Sequence, residues 1–155
     1  MHLIVMRHGE AGMHAVDAQR PLTPPGRKDV ARVAEAIAAG APAPEALWHS
    51  PYRRARESAD IVARLLRQSG SPNLPMVMDE SLTPEQDPMP VIRRLQSQPS
   101  DSTLMLVSHM PLVNVLCGLL VDGRAGGYPF ATSQALVLET DYPAMASATV
   151  IRTFY

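Results

Sequence analysis

The chain has 155 residues, of which 46% are apolar and 19% charged, and its formal net charge is -1. That size and balance suit one core, so we expect a single domain over residues 1–155 and exclude a disordered or collagen-like chain. A near-neutral chain has no global field to hold nucleic acid or an anionic membrane, and one cysteine permits neither an internal disulfide nor a multi-cysteine metal site.

Leu3 to Met6 is a short continuous apolar run, the pattern of a strand buried on both faces. It is too short for a signal peptide, and no run approaches the roughly 20 apolar residues of a membrane span. A cytoplasmic protein is therefore expected, in keeping with the cysteine usage. Pro21 to Gly26 is turn chemistry with Thr23 as a helix N-cap; Val30, Val33, Ala34, Ile37 and Ala38 then follow helical spacing until Gly40 and Pro42. Ala46 to His49 is a short strand. Ser50-Pro51 is expected to cap the next helix, which carries Ala55, Ala59, Val62, Leu65 and Leu66.

Pro75 to Met78 is a further short strand, Thr83 to Pro90 a proline-rich loop, and Val91 to Gln98 a short helix. Thr103 to Val107 is the next buried strand, and Leu112, Val115, Leu116, Leu119 and Leu120 form a helical stripe that places Cys117 in the core. A loop spans Gly123 to Pro129, and Ala135 to Leu138 and Ala148 to Ile151 are the last strands. Alternating strands and helices predict a three-layer α/β/α sandwich around a mixed, mostly parallel sheet. The last two strands lack an intervening helix, so one of them is expected to run antiparallel.

Three strand ends carry unusual side chains: Arg7-His8-Gly9-Glu10, the segment Ser50 to Ser58 with Arg53, Arg54 and Arg56, and Ser108-His109-Met110-Pro111. In open α/β sheets ligands bind beyond the carboxyl ends of the strands, where helix N-termini add oriented N–H groups. Two histidines and at least two arginines at that edge suit a small doubly charged oxyanion. Arginine presents a permanently charged planar fork to phosphate, and histidine is a nucleophile largely neutral near pH 7. Arginines can neutralise the charge of a phosphoryl transition state, so no metal or other cofactor is expected. His2, His14 and His49 belong to no such segment.

Arg7-His8-Gly9 after an N-terminal strand resembles the signature of the histidine phosphatase superfamily, whose fold is phosphoglycerate-mutase-like. Pro21-Leu22-Thr23-x-x-Gly26, Ser50-Pro51-x-x-Arg54-Ala55 and Ser108-His109-x-Pro111-Leu112 resemble its further segments, in the same order. The short chain, Ser108-His109-x-Pro111-Leu112-Val113 and Leu82-Thr83-Pro84 are most similar to the SixA-type phosphohistidine phosphatases. The resemblance implies that His8 is the nucleophile that becomes phosphorylated, that Arg7 and Arg54 clamp the phosphoryl oxygens, and that His109 completes the pocket. It implies a substrate-binding part for Gly9, past which the phosphate would lie closely. The Ser-Pro-x-x-Arg register favours Arg54 over Arg53 and Arg56, which are expected on a solvated helix face.

Superfamily members that cleave esters supply a carboxylic acid to the leaving group. Glu85 and Asp87 are the candidates for such an acid here, with Glu80 nearby and Glu10 close to His8 in sequence. A phosphoramidate has an imidazole leaving group, which departs more readily. The chain also lacks both the long lid insertions of the mutases and their asparagine after Arg-His-Gly. The expected function is a metal-independent phosphohydrolase acting on phosphohistidine of a carrier protein, such as a phosphotransfer domain or a phosphotransferase-system protein, and releasing phosphate. The alternatives are a broad small-molecule phosphomonoesterase and a non-catalytic phosphoryl-binding module.

Overall fold

The structure, a computed structural model, describes residues 1–155. Six strands form one sheet: β1 (His2–Arg7), β2 (Ala46–His49), β3 (Met76–Met78), β4 (Thr103–Ser108), β5 (Ala135–Glu139) and β6 (Thr149–Phe154). Their order is β3-β2-β4-β1-β5-β6. The first four positions pair in parallel, and β5 runs antiparallel to both β1 and β6. The sheet is therefore mixed, and β5 alone runs against the rest.

The period of two along β1 explains the layers. Ile4 and Met6 face a core shared with α1 (Pro24–Gly40) and α2 (Arg53–Gln68), where Val33, Ile37, Ala59 and Val62 meet them. Leu3 and Val5 face a second core under α3 (Met89–Gln96) and α4 (Leu112–Asp122), with Ile92, Leu95, Leu112 and Leu116. Trp48 lies in that second core, and the Arg94 guanidinium stacks 4.0 Å from its ring centroid. Cys117 is fully buried there as well. No helix is long and apolar enough to cross a membrane.

Parallel register aligns the strand ends that carry the chemistry. Arg7 pairs with Ser108, and the His8 amide donates to the Ser108 carbonyl at 3.0 Å. His49 pairs with Val107, and the Ser50 amide donates to the Val107 carbonyl at 3.1 Å. His8, Ser50 and His109 thus leave three adjacent strands at one edge.

The Pro-Leu-Thr-x-x-Gly segment has a local mechanical role. The Thr23 side chain accepts from the Gly26 amide at 3.0 Å and caps α1, and the Thr23 amide donates to the Glu10 carbonyl at 2.9 Å. Gly26 lets the first turn of α1 press onto the chain just after His8. A β-carbon on Gly26 would stand 2.3 Å from the Glu10 carbonyl oxygen, inside any allowed contact.

Some boundaries differ from those expected. Helix α2 begins at Arg53, not at Ser50-Pro51, because Ser50 still belongs to the sheet hydrogen bonding; its Oγ accepts from the Tyr52 amide at 3.2 Å. Helix α3 begins at Met89, where the Asp87 carboxylate accepts from the first helical amide at 3.0 Å. Strand β6 extends to Phe154 although Arg152 and Thr153 break its apolar pattern, because as the outermost strand it leaves much of itself in solvent.

Gly26→Ala should destabilise the fold by about 2 kcal/mol through overpacking, a fall in melting temperature of roughly 4–8 °C. Thermal unfolding followed by far-UV circular dichroism measures it, and an unchanged midpoint would contradict the close approach.

Candidate active site

His8 is 7% exposed, and its Nδ1 lies 2.6 Å from the Gly9 carbonyl. A carbonyl only accepts, so Nδ1 carries the proton and Nε2 keeps its lone pair. Arg54 Nε donates to that Nε2 at 3.2 Å. A neutral histidine with a defined nucleophilic nitrogen therefore stands beside a guanidinium.

His109 is 1% exposed, and its ring centroid lies 4.9 Å from that of His8 with the planes at 59°. Tyr52 meets the His109 ring edge-on at 5.2 Å. His109 Nε2 is 2.7 Å from Ser50 Oγ, and its Nδ1 is buried with no partner in the protein. If the Ser50 hydroxyl donates to Nε2, neutral His109 carries its proton on Nδ1 and is a donor there.

Arg7, Arg20 and Arg54 line a cleft of about 310 Å³ together with His8, Glu10 and Thr132. Arg7 Nη1 donates to the Phe130 carbonyl at 2.8 Å, while its buried Nε has no acceptor in the protein. Arg54 Nη1 and Nη2 donate to the backbone carbonyl and the carboxylate of Asp17 at 2.8 and 3.2 Å. Arg20 is tied to the Gly12 carbonyl through Nε at 2.9 Å and to Asp17 through Nη1 at 3.3 Å. Ser58 Oγ donates to the Arg54 carbonyl at 2.7 Å and accepts from the Gly9 amide at 3.0 Å, linking the first turn of α2 to the loop after β1.

The surroundings hold both imidazoles neutral. Burial lowers the His8 pKa to about 4, and the charges of Arg54, Arg7 and Arg20 add to this against the opposing bond to Gly9. Burial also lowers that of His109 well below the ordinary value, with His8, Arg54 and Arg7 adding to the effect. Burial and the neighbouring Arg54 lower the Arg7 pKa. A small dianion entering among three guanidiniums would offset their mutual repulsion and supply an acceptor of the kind Arg7 Nε lacks.

Arg7 and His8 at the end of β1 and Arg54 in the first turn of α2 meet at the cleft, and His109 is buried against the His8 ring without lining the cleft. Gly9 does not line the cleft. Its amide is engaged by Ser58, and its close approach is to α1, where an added β-carbon would meet Val30 Cγ2 at 2.6 Å and the Gly26 carbonyl at 2.9 Å. Its missing side chain thus permits close packing against α1. Glu85 and Asp87 do not line the cleft either: both are exposed, and Asp87 is committed to the start of α3. Glu10 is the carboxylate that does, with Oε1 accepting from Thr23 Oγ1 at 2.7 Å. Arg56 is exposed and Arg53 pairs with Glu57 at 2.9 Å, both on the outer side of α2. His49 is buried against the Ser50 carbonyl, and His2 pairs with Glu139. No group of three or more His, Cys, Asp and Glu side chains is placed to hold a metal ion.

Sequence reasoning passed over Arg20, Asp17, Ser58, Thr132 and the contact of Ser50 with His109. The i, i+3 spacing of Asp17 and Arg20, directly before Pro21-Leu22-Thr23, was the available signal for the first two.

Two buried imidazoles thus stand among guanidiniums at the carboxyl edge of a mixed sheet. The family model of the histidine phosphatase superfamily (branch 1) matches residues 3–83, just over half of the chain, and the chain belongs to that superfamily. It is a phosphatase by this membership. Among solved structures it is similar to the protein histidine phosphatase SixA complexed with tungstate, at 28% identity and a TM-score of 0.86, over 99% of this chain and 96% of that one. A candidate phosphohistidine phosphatase SixA from Agrobacterium tumefaciens shares the fold at 17% identity and a TM-score of 0.79, over 99% and 97% of the two chains. So does a mycobacterial glucosyl-3-phosphoglycerate phosphatase complexed with VO3, at 16% identity and a TM-score of 0.69, over 97% of each chain. No curated protein matches the chain.

His8 ties stability to pH with a definite sign. Its folded pKa of about 4 lies below the ordinary value of 6.5, so between these values the unfolded chain binds more protons. The His8 contribution is complete above pH 6.5 and is lost as pH falls towards 4. Urea unfolding of wild type and His8→Gln between those limits should show a shallower pH dependence in the variant, by about 3 kcal/mol across the window. Parallel curves would contradict a buried neutral His8.

Proposed function

We propose that the protein dephosphorylates phosphohistidine on a carrier protein through a phosphorylated His8, without a metal ion. The observation that carries this reading is His8 Nε2, which is unprotonated, fixed by the Gly9 bond and set 3.2 Å from Arg54 Nε.

The His8 Nε2 lone pair forms a bond to phosphorus as the bond from phosphorus to the substrate ring breaks; that ring, protonated on its other nitrogen, takes the electron pair and leaves as neutral imidazole. Arg7 and Arg54 carry the charge of the three phosphoryl oxygens, and Arg20 adds a third cation at the cleft wall. With the Ser50 hydroxyl donating to its Nε2, His109 keeps its proton on Nδ1, the donor it offers to a phosphoryl oxygen. Water then attacks phosphorus as the bond to His8 breaks: the electron pair returns to Nε2, both water protons stay on the phosphate oxygens as dihydrogen phosphate, and His8, still protonated on Nδ1, is neutral again.

The substrate class is supported by the resemblance to SixA-type proteins and by the placement of the acids. Glu85 and Asp87 do not line the cleft, which suits a leaving group that needs little help. Glu10 does line it, and this favours the second reading, a small-molecule phosphomonoesterase with Glu10 as the proton donor.

Single-turnover phosphate release, with EDTA present, should be fast from a phosphohistidine carrier and slow from an aryl phosphate. His8→Ala should abolish it by roughly 1,000-fold or more. Ester cleavage as fast as carrier cleavage, lost in Glu10→Gln, would establish the esterase instead. Tight phosphate binding with no turnover of either would leave a binding module.

Ser50→Ala should lower the rate of phosphorylation of His8 about ten-fold, because His109 then loses the partner that holds its ring. Rapid-quench detection of phosphohistidine on the enzyme measures this rate, and an unchanged value would remove the assigned role of Ser50.

A further inference from the structure

Asp17 opens the short 3-10 turn Asp17–Gln19, on the segment between β1 and α1 that borders the cleft. Its backbone oxygen accepts from Arg54 Nη1 at 2.8 Å and its Oδ2 from Arg54 Nη2 at 3.2 Å. Its Oδ1 accepts from Arg20 Nη1 at 3.3 Å. The remaining Arg54 nitrogen, Nε, donates to His8 Nε2 at 3.2 Å. One end of the guanidinium is thus tied to Asp17, and the other faces the nitrogen that reacts. Turning the guanidinium would break both Asp17 bonds.

An exposed ion pair ordinarily contributes little. This one is asymmetric: the Asp17 side chain is 59% exposed, but that of Arg54 is only 6% exposed. The same carboxylate also stands between two cleft cations that would otherwise repel each other. Those cations overcome the burial that works to raise the Asp17 pKa, which is held below the usual carboxylate value, so Asp17 is charged in the working range.

We propose that Asp17 is a positioning residue that holds the Arg54 guanidinium by its two Nη ends, so that the Nε–H stays aimed at the reacting nitrogen of His8. When phosphorus takes the His8 lone pair, that N–H passes to a phosphoryl oxygen and the guanidinium need not turn. The assignment rests on His8 as the nucleophile but not on the phosphohistidine substrate. It also makes Asp17 a partner of the anion site, and not an anion that competes for it.

The test is a double-mutant cycle of Asp17→Ala and Arg54→Ala, read by calorimetric binding of tungstate and by kcat and KM for an aryl phosphate. Asp17→Ala is expected to weaken tungstate binding about ten-fold and to lower kcat more than it raises KM; in the Arg54→Ala background it should cost nothing further. Asp17→Asn, which keeps an acceptor for Nη2, should retain most of the affinity. Equal or tighter tungstate binding by Asp17→Ala would show a competing carboxylate and overturn the proposal. A ten-fold loss that persists without Arg54 would also overturn it. If Asp17→Ala fails to fold, Asp17→Ser, whose side chain is too short to reach Nη2, replaces it in the cycle: a loss seen only with Arg54 present supports the proposal, and no loss overturns it. Tungstate binding needs no turnover, so an intact cycle alongside a failure to hydrolyse phosphohistidine would remove only the substrate reading. A failed cycle in an active enzyme would remove only the role of Asp17.

Discussion

The parallel pairing of β1 with β4 and of β4 with β2 is the constraint on which the site depends. Two backbone hydrogen bonds, from the His8 amide to Ser108 and from the Ser50 amide to Val107, fix three strand ends at a common level. His8, Ser50 and His109 come from distant parts of the chain, and none could be near the others without that register. A slip of one residue would reverse the face of every side chain on the slipped strand, moving Ile4 and Met6 out of one core and Leu3 and Val5 out of the other. The hydrophobic alternation that builds two cores thereby also sets the geometry of the histidine pair.

The site stores electrostatic cost. Three guanidiniums line one cleft, two imidazoles are buried beside them, and Arg7 Nε and His109 Nδ1 lack partners in the protein. Such groups are retained where a ligand uses them, since each buried unpaired donor costs about 1–3 kcal/mol. Burial and positive charge keep the imidazoles neutral, as a nucleophile requires. The same charges favour an incoming dianion, so one arrangement serves both attack and binding.

Much of this was legible in the sequence because the carriers of chemistry lie in short segments that leave buried strands. Leu3 to Met6 and Thr103 to Val107 have no polar interruption, so His8 and His109 had to stand at strand ends. Arg54 was separable from Arg53 and Arg56 by its segment. The partners of these residues were less legible. Ser50 looks like a helix cap until the β2–β4 register shows that it is still held by the sheet and faces His109. Asp17 and Arg20 sit in a segment with no periodicity, and their contacts depend on how α1 presses the chain back onto α2. Glu85 and Asp87 looked available because a polar loop carries no sign of which carboxylate caps the following helix. Gly9 also packs closely against α1, a relation that no local pattern encodes. The extent of β6 was obscured because an edge strand needs no continuous apolar run.

The chain's one cysteine gives the molecule a further property. Cys117 is completely buried in the core beneath α4, and burial pushes its thiol pKa far up, so almost no thiolate forms. Nothing at the cleft is a sulfhydryl, and the groups gathered there are imidazole and guanidinium. Peroxide and other thiol-directed oxidants silence enzymes that depend on an exposed thiolate; here they find no thiolate, and the sulfur at the cleft is the Met110 thioether. Oxidation of a catalytic thiolate, the event that arrests thiolate-dependent phosphatases, has no counterpart in a site built from imidazole and guanidinium.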